Sequence, residues 1–413
     1  MASLIKMDIA TFLRFNYRFL LFGLAAAFFS SFGQTFFISL SSQYIRTEYS
    51  LSHGEFGLIY SCGTLASACM LIWAGRQIDF MDLRLYTFIV CLGLAAFSVG
   101  MAFSNSVGWL LIIIFGLRFT GQGLLSHISS VSMARYFNKS RGAALSISSI
   151  GYPLGEAIFP PLAVATIVII GWREMWLNIG ILVILAVTPS MLWLLKGHTK
   201  RHAGLRQQSS DVSASASEGQ WTQIRILKDI RFYIMLPSYL AIPFIGTGFF
   251  FHQVHLANTK GWDLDLFVNF FVVYAVCQTL AAISAGMLVD RFTARTVMKF
   301  YLLPAMIGLS VLSVSNQIWI AAIFMAFLGI SSGAVSVANS AIWAEIYGVA
   351  RLGSIKAMGT ALMVLSTALS PPVMGIAIDA GVSMETLAFA AVCFFCSATA
   401  VMGFFFPKEY RGK

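Results

Sequence analysis

The chain has 413 residues, of which 58% are hydrophobic and 11% are charged, and its formal net charge is +10. Soluble domains carry roughly 25% charged residues, so this composition, with a mean hydropathy of +0.80, excludes an ordinary soluble domain. It predicts an integral membrane protein. We expect the excess of positive charge to follow the membrane topology, and we expect no nucleic-acid partner.

Twelve apolar segments are long enough to cross a membrane as helices, which takes about 20 residues each. The alternating segments typical of a membrane β-barrel are not found in the sequence. The first segment is long enough to span, so we expect a membrane helix there and not a cleaved signal peptide. The fold class predicted is an all-α membrane protein with spans at 17–42, 54–74, 84–104, 108–133, 141–166, 172–195, 231–257, 264–289, 295–315, 317–345, 351–378 and 383–406.

One long polar stretch divides the twelve spans into two sets of six. Residues 196–230 contain "QQSSDVSASASEG", which is too polar and too small to pack, and we predict a flexible cytoplasmic linker there. The predicted domains are therefore an N-terminal half, residues 1–195, and a C-terminal half, residues 231–413.

Short motifs of the first half return in the second half. Gly75 and Gly286 open similar stretches, and Pro160 and Pro371 occupy matching places in the fifth and eleventh spans, in both cases with an offset of 211 residues. One offset over most of the chain predicts two pseudo-symmetric six-helix halves. Duplicated halves with a substrate site between them near the membrane midplane are typical of secondary transporters.

Lys and Arg residues concentrate in the two termini, the linker and every second loop. Outside these segments the chain has Arg46, Arg173 and Lys260, and within the membrane Arg118. Because cytoplasmic loops carry the excess of Lys and Arg, we predict a multi-pass protein with both termini in the cytoplasm. We expect its location to be a bacterial inner membrane.

The repeated loop resembles the signature loop of the major facilitator superfamily. "GRQIDFMDLR" from Gly75 to Arg84 and "GMLVDRFTAR" from Gly286 to Arg295 both read G-x3-D-x4-R. "RFTGQG" at Arg118 is similar to the arginine–glycine motif of the superfamily's fourth helix, and "SIGYPLGEAIFPP" resembles the fifth helix of its antiporters. "RYFNKSRGAALSISSIG" and "GWREMW" look most like the monocarboxylate- and oxalate-porter-like branches, which carry a basic residue in helix 8 that this chain lacks.

The resemblance implies a secondary active transporter of the major facilitator fold, which moves a small organic solute by alternating access with a proton or other coupling ion. A carboxylate or a zwitterion is the solute class that it suggests. Two alternatives stay open, namely a drug or metabolite efflux antiporter and a non-transporting solute sensor on the same fold. We expect no enzymatic activity, no cofactor and no metal, and a monomer in the lipid bilayer.

A buried ion pair is predicted between the fourth and fifth spans. Arg118 and Glu156 lie at about the same depth if each helix rises 1.5 Å per residue, and pairing would reduce the roughly 2.5–3.5 kcal/mol that an isolated charge costs in the membrane. Gln122 shares the Arg118 face and Tyr152 shares the Glu156 face. Glu156 could accept a proton, the pair could anchor substrate, or the pair could lock the two helices together.

Other polar residues of the apolar spans are candidates for contact with the substrate or the coupling proton. Each could instead serve only helix packing. Helix 7 has prolines and glycines that allow a break near the cavity, and its "FFFHQVH" stretch could form an aromatic outer gate. The candidates are Gln34, Tyr274, Gln278, Ser336 and Asn339 for the solute, and His127 and His252 for the proton.

The two signature loops are predicted to act as a cytoplasmic latch that holds one gate state. In this hypothesis, Asp79 and Asp290 meet a helix N-terminus or a basic residue of the facing half. An ordinary solvated turn is the alternative. The predicted latch residues are Gly75, Asp79, Arg84, Gly286, Asp290, Arg291 and Arg295.

Overall fold

A computed structural model of the protein describes residues 9–137, 140–197, 223–348 and 352–406. Within these ranges every regular element is a helix, and twelve helices are long and apolar enough to cross a membrane. The predicted fold class is therefore confirmed. Most of the predicted linker, residues 198–222, lies outside the described residues.

The twelve spans are numbered α1 to α12 in chain order. They are Arg14–Gly33, His53–Asp79, Leu83–Ala102, Val107–Tyr136, Arg141–Ile170, Trp172–Leu194, Ile230–Phe251, Leu264–Phe292, Ala294–Val314, Trp319–Tyr347, Ile355–Asp379 and Met384–Phe405. Short helices at Ser42–Tyr49 and Gln253–Lys260 lie in the connections that follow α1 and α7. Most predicted spans agree with these bounds within a few residues, and the larger differences are at α1 and α7.

The helix predicted over residues 17–42 is broken after α1. A tight 3₁₀ turn, Ser30–Gly33, is followed by an extended Gln34 with φ −81° and ψ 154°, and the helix resumes at Thr35. Gly33 allows this geometry because a Cβ built there would lie 2.2 Å from the carbonyl oxygen of Leu117. The apolar pattern continues across the break, which is why hydropathy predicts a single helix.

Helix α7 continues through both of its prolines, Pro237 and Pro243. The sequence allowed a break at these residues, and the helix is not broken there. Pro243 has no N–H, and the carbonyl of Tyr239 therefore loses its intrahelical donor. Asn339 Nδ2 donates to that oxygen at 3.4 Å. The helix ends instead before His252, where φ is −97° and ψ is 19°, and a second helix follows at once.

The chain forms two compact units. Unit 1 comprises Met1–Gln34, Ala66–Gly155 and Arg173–Ser213, and unit 2 comprises Thr35–Leu65, Glu156–Trp172 and Ala214–Lys413. Helices α2 and α5 therefore contribute to both units, and unit 2 combines segments of the first half of the sequence with the second half. The division into sequence halves, 1–195 and 231–413, stays a prediction.

Candidate functional site

Arg118 lies in unit 1 against the break after α1. Its side chain is 2% exposed, and Nη1 donates to the carbonyl oxygen of Gly33 at 3.2 Å. That carbonyl has been released by the break, since Gln34 is extended. The guanidinium thus satisfies a backbone oxygen that lipid could not satisfy. The dipole of this carbonyl also stabilises the buried positive charge of Arg118.

The fourth span is wound unusually where it meets this break. Residues Arg118–Leu125 form a π-helix, a widened geometry that is often found at functional sites. Gly121 contacts the break directly, because a Cβ built there would lie 2.7 Å from the Cα of Gly33. Gln34 and Gln122, both half-buried, flank the contact. Unit 1 therefore brings three predicted candidates, Arg118, Gln34 and Gln122, to one place, and Tyr152 of α5 is also half-buried in this unit.

His127 lies farther along α4, beside the first signature loop. Its Nε2 is 3.0 Å from the carbonyl oxygen of Gly75, and the side chain is half-buried. The contact joins α4 to the end of α2 at the motif glycine. A Cβ at Gly75 would lie 3.3 Å from His127 Nε2, so glycine leaves room for the imidazole. The proton-relay role of His127 stays a prediction.

Glu156 lies in unit 2, where one oxygen of its carboxylate has no hydrogen-bond partner among the described residues. Its Oε2 atom is buried and makes no hydrogen bond with the described residues. None of the ion pairs among those residues includes Glu156. Arg118 belongs to unit 1 and Glu156 to unit 2, and an ion pair between them stays a prediction. Sequence reasoning considered a side-chain partner for Arg118 and did not foresee its hydrogen bond to the carbonyl oxygen of Gly33.

One face of α8 lies close to this carboxylate. Tyr274 is buried, lies next to Ser332 of α10 and is within electrostatic range of Glu156. Gln278 follows one turn later, and its Oε1 is buried without a partner among the described residues. Helices α8 and α10 pack tightly here, because a Cβ built at Gly333 would lie 2.1 Å from the carbonyl oxygen of Gln278.

The candidates on α10 have structural contacts as well. Asn339 donates to the freed carbonyl of Tyr239, while its Oδ1 is buried with no partner in the described ranges. Ser336 is exposed and donates to the carbonyl of Gly333 at 2.7 Å. Unit 2 thus contains, at Glu156, Gln278 and Asn339, buried side-chain atoms that make no hydrogen bond with the part of the chain that the structure describes. Such atoms are costly unless water or a ligand satisfies them.

Aromatic and polar contacts close one end of unit 2, which we call the distal end and which carries the α1–α2 and α7–α8 connections. The ring of Phe251 stacks on Phe56 at 5.2 Å between centroids. Gln253 Nε2 donates to the carbonyl of Phe36 at 2.6 Å, and Ser39 Oγ donates to that of Phe250 at 2.7 Å. The aromatic residues predicted as an outer gate therefore pack against chain segments from the first half of the sequence.

His252 is a part of this distal end. It is 3% exposed, and its Nε2 lies 3.0 Å from the carbonyl oxygen of Pro371. Burial lowers the pKa of His252 to about 4. The imidazole is thus neutral at neutral pH, which suits its position among packed helices.

The first signature loop forms its ion pair within its own half. Asp79 Oδ1 is 3.3 Å from Nη1 of Arg135, at the end of α4, and the same nitrogen donates to the carbonyl of Ile78. The backbone N–H of Arg84 donates to the carboxylate of Asp82, which caps α3, and the Arg84 side chain is exposed.

The second signature loop is arranged differently. Arg295 Nε is 3.6 Å from Glu345 Oε1, and Glu345 Oε2 accepts from the backbone N–H of Ala294 at 2.7 Å. Asp290 is exposed and makes no ion pair with a described residue. Arg291 lies 5.2 Å from the ring of Phe292. Gly286 has open space where a Cβ would lie.

Sequence reasoning missed Arg135 and Glu345, the partners of the two loops. A signal was present, because the two residues are separated by 210 positions, close to the offset of the motifs themselves. Each ends a polar face at the close of its helix, α4 or α10. Because Arg135 is a cation and Glu345 is an anion, a search for identical residues in the two halves does not reveal that they occupy matching positions.

The sequence model of the Major Facilitator Superfamily matches residues 23–273 and 244–413. Three relatives of known annotation align with the chain. The hexuronate transporter of Bacillus subtilis is 21% identical over 83% of both chains. The probable sulfoacetate transporter SauU of Cupriavidus necator is 23% identical over 63% of this chain and 61% of its own length. The probable L-galactonate transporter of Escherichia coli is 27% identical, but the alignment covers 40% of this chain and spans only 36% of that relative.

Solved structures share the fold at low sequence identity. A bacterial homologue of the human lysosomal transporter Spinster, in an inward-facing and occupied conformation, is 16% identical, with a TM-score of 0.67 over 94% of this chain and 96% of its own. The nucleoside transporter NupG is 14% identical, with a TM-score of 0.69 over 96% of this chain and 100% of its own. At such identities the likeness concerns the fold alone.

Proposed function

Because the chain belongs to the Major Facilitator Superfamily, we propose that this multi-pass membrane transporter moves a small organic acid by alternating access, driven by protons. The relatives are named as a hexuronate transporter, a probable L-galactonate transporter and a probable sulfoacetate transporter, and all three solutes are small organic anions. The distribution of Lys and Arg supports a cell-membrane location with both termini in the cytoplasm.

Arg118 is the residue that we propose to attract the anionic group. It is a buried guanidinium whose bond to Gly33 is to a neutral carbonyl. A guanidinium presents five N–H donors in a planar fork that suits a carboxylate or a sulfonate. Between residues 264 and 289, α8 has no basic residue, so the fixed positive charge of α4 supplies the complementarity that an organic anion requires.

The buried polar atoms of unit 2 support a hydroxylated solute. Gln278 and Asn339 each present a side-chain amide atom without a partner among the described residues. A sugar acid offers several hydroxyl groups, each able to donate and to accept, so it can satisfy either atom of an amide. Rejection of a solute that lacks these hydroxyls would follow, since the amide atoms would stay unpaired.

Glu156 carries the proposal of proton coupling. Its buried Oε2 has no hydrogen-bond partner in the described ranges, and an ionised carboxylate in that environment has a high free-energy cost. Binding a proton removes the charge, whereas opening the site to water would hydrate it. Alternation between these two conditions is what a proton-coupled transporter needs.

Transport by purified protein in liposomes tests this proposal, with radiolabelled hexuronate, galactonate and sulfoacetate as probes. We expect at least one probe to accumulate when the outside is acidic. Glu156→Gln should abolish accumulation driven by the pH gradient and keep exchange of the probe at equal pH. Arg118→Gln should lose both activities. The matched control is Glu174→Gln, which changes an exposed glutamate of α6 and should transport like wild type.

Three results would contradict the proposal in different ways. Unchanged gradient-driven uptake by Glu156→Gln would remove the proton acceptor. Full exchange by Arg118→Gln would remove the anion site. A protein that is stabilised by a probe in thermal unfolding but exchanges none of them would be a sensor and not a transporter.

A further inference from the structure

Three histidines meet at the distal end of unit 2. His53 is the first residue of α2, His252 follows α7, and His255 lies in the short helix Gln253–Lys260. The ring centroid of His53 is 4.3 Å from that of His255 and 5.6 Å from that of His252. We call these three residues the histidine cluster. It joins a segment of the first half of the sequence to the end of α7.

A single carboxylate holds α2 at this place. Asp379, the last residue of α11, accepts from the backbone N–H of His53 at 3.0 Å and from that of Gly54 at 2.7 Å. These are free N–H groups of a helix N-terminus, where a negative charge is favoured. The carboxylate therefore fixes the beginning of α2 to the end of α11 beside the imidazoles.

Once the histidine cluster is protonated, the positive charges around it outnumber the negative charges. Arg46, from the helix Ser42–Tyr49, adds a positive charge that acts on His252 and His255, and Asp379 supplies the negative charge that reaches them. Glu55 of α2 is exposed and accepts instead from the backbone N–H of Ser52 at 2.8 Å. Protonation of all three imidazoles would place four cations against one carboxylate.

The same surface carries a close approach of α2 to α11. A Cβ built at Gly57 would lie 2.8 Å from backbone atoms of Pro371, and Ser61 Oγ donates to the carbonyl of Ala368 at 2.6 Å. His252 completes the contact through the carbonyl of Pro371. Charge that accumulates in the cluster thus acts on the two helices whose contact closes the distal end.

We propose that the histidine cluster is a proton-operated release of the distal closure, in which protonation of the imidazoles separates α2 from α7 and α11. The ligand is the proton itself. Among the residues that the structure describes, no group of His, Cys, Asp and Glu has an arrangement that could hold a metal ion. The release is distinct from the proposed role of Glu156, since it controls access to the site and not coupling within it.

The direction of the effect follows from burial. Burial lowers the pKa of His252 to about 4, and burial together with Arg46 also lowers the pKa of His255. In an open, hydrated state both would return toward the ordinary value of about 6.5. The closed state is thus fully stable above that value and loses stability as the pH falls through it. For one such histidine, the ratio of open to closed protein rises about tenfold between pH 7.5 and pH 5.5.

Spin-label distances across the distal end test this inference. In full-length protein in nanodiscs, with its native cysteines replaced by serine, labels at Tyr44 and Thr259 report on the two sides of the closure. Both positions are exposed. We expect a longer distance to gain population between pH 7.5 and pH 5.5. The variant H53Q/H252Q/H255Q should lose this dependence, because glutamine keeps hydrogen-bonding capacity and cannot be protonated in this range.

Two further variants separate the cluster from other causes. Asp379→Asn should raise the open population at pH 7.5 while it keeps the response to acid. Glu156→Gln should open with pH like wild type, even if transport is lost. The inference is overturned if wild-type distances do not change with pH, or if the triple histidine variant responds like wild type. It is overturned equally if Glu156→Gln removes the response.

Discussion

The two signature loops have the same sequence pattern, but the motif residue that forms an ion pair is an aspartate in the first loop and an arginine in the second. After α2, the motif carboxylate of Asp79 pairs with a cation on α4, Arg135. After α8, the motif cation Arg295 pairs with a carboxylate on α10, Glu345, and the motif carboxylate of Asp290 is exposed. Arg135 and Glu345 occupy matching positions on the neighbouring helices α4 and α10. The charge at this position decides whether the Asp or the Arg of the motif forms the ion pair.

The two pairs also differ in what else they hold. The Asp79–Arg135 pair is open to solvent, with side chains 59% and 31% exposed, and exposed ion pairs contribute little. Glu345 is 23% exposed and also accepts from the N–H of Ala294, at the first turn of α9. The second loop is thus fixed by a helix cap and the first by a surface ion pair. A repeated motif does not guarantee a repeated interaction.

The largest effect should come from removing the Glu345 carboxylate. Glu345→Gln weakens a charge-assisted cap and leaves Arg295 without its ion pair, so we expect a loss of about 1–2 kcal/mol. Thermal unfolding in detergent would measure it. Asp79→Asn, the corresponding change in the other half, should lower the midpoint less. Equal losses would show that the two loops are fixed equally.

A smaller difference is expected between the coupling free energies of the two ion pairs. In double-mutant cycles, we expect the coupling of Asp79 with Arg135 to be about 0.5 kcal/mol or less. Coupling of Arg295 with Glu345 should exceed it, and high salt should reduce the first more than the second. A larger coupling in the first half would reverse the comparison.

The smallest effect on stability is expected at Asp290. Asp290→Asn removes an exposed carboxylate without an ion pair to the described residues, so stability should stay within about 0.5 kcal/mol of wild type. If this loop nevertheless acts as a latch in another state, the variant should exchange solute more slowly. Exchange at the wild-type rate in a stable variant would leave Asp290 as an ordinary solvated turn residue.

The spans could be predicted because membrane insertion depends on length and composition, which the sequence displays directly. The breaks could not. Gln34 lies in an apolar run, and nothing in the periodicity marks it as extended, because the break depends on the contact of Gly33 with Gly121. Likewise, Pro237 and Pro243 predict a break in α7. The helix continues at Pro243, where Asn339 of α10 donates to the carbonyl oxygen that the proline leaves without an intrahelical donor.

The sequence could indicate candidate residues for the site, but it could not indicate the contacts that they make. Arg118 and Gln122 of α4 and Gln34 after α1 lie around the contact of Gly33 with Gly121, and their roles in binding stay predictions. Arg118 donates to the main-chain oxygen of Gly33, a contact that no pattern of side chains can indicate. Asp379 and His53 were missed for a similar reason, because their contact is made through backbone N–H groups.

The break after α1 has a mechanical consequence. The chain passes from unit 1 to unit 2 between Gln34 and Thr35, where the backbone is already extended and the Gly33 oxygen is bonded to Arg118. Rotation about the dihedral angles of Gln34 therefore breaks no helical hydrogen bond through that oxygen, so the backbone bends more easily at this residue than within an intact helix.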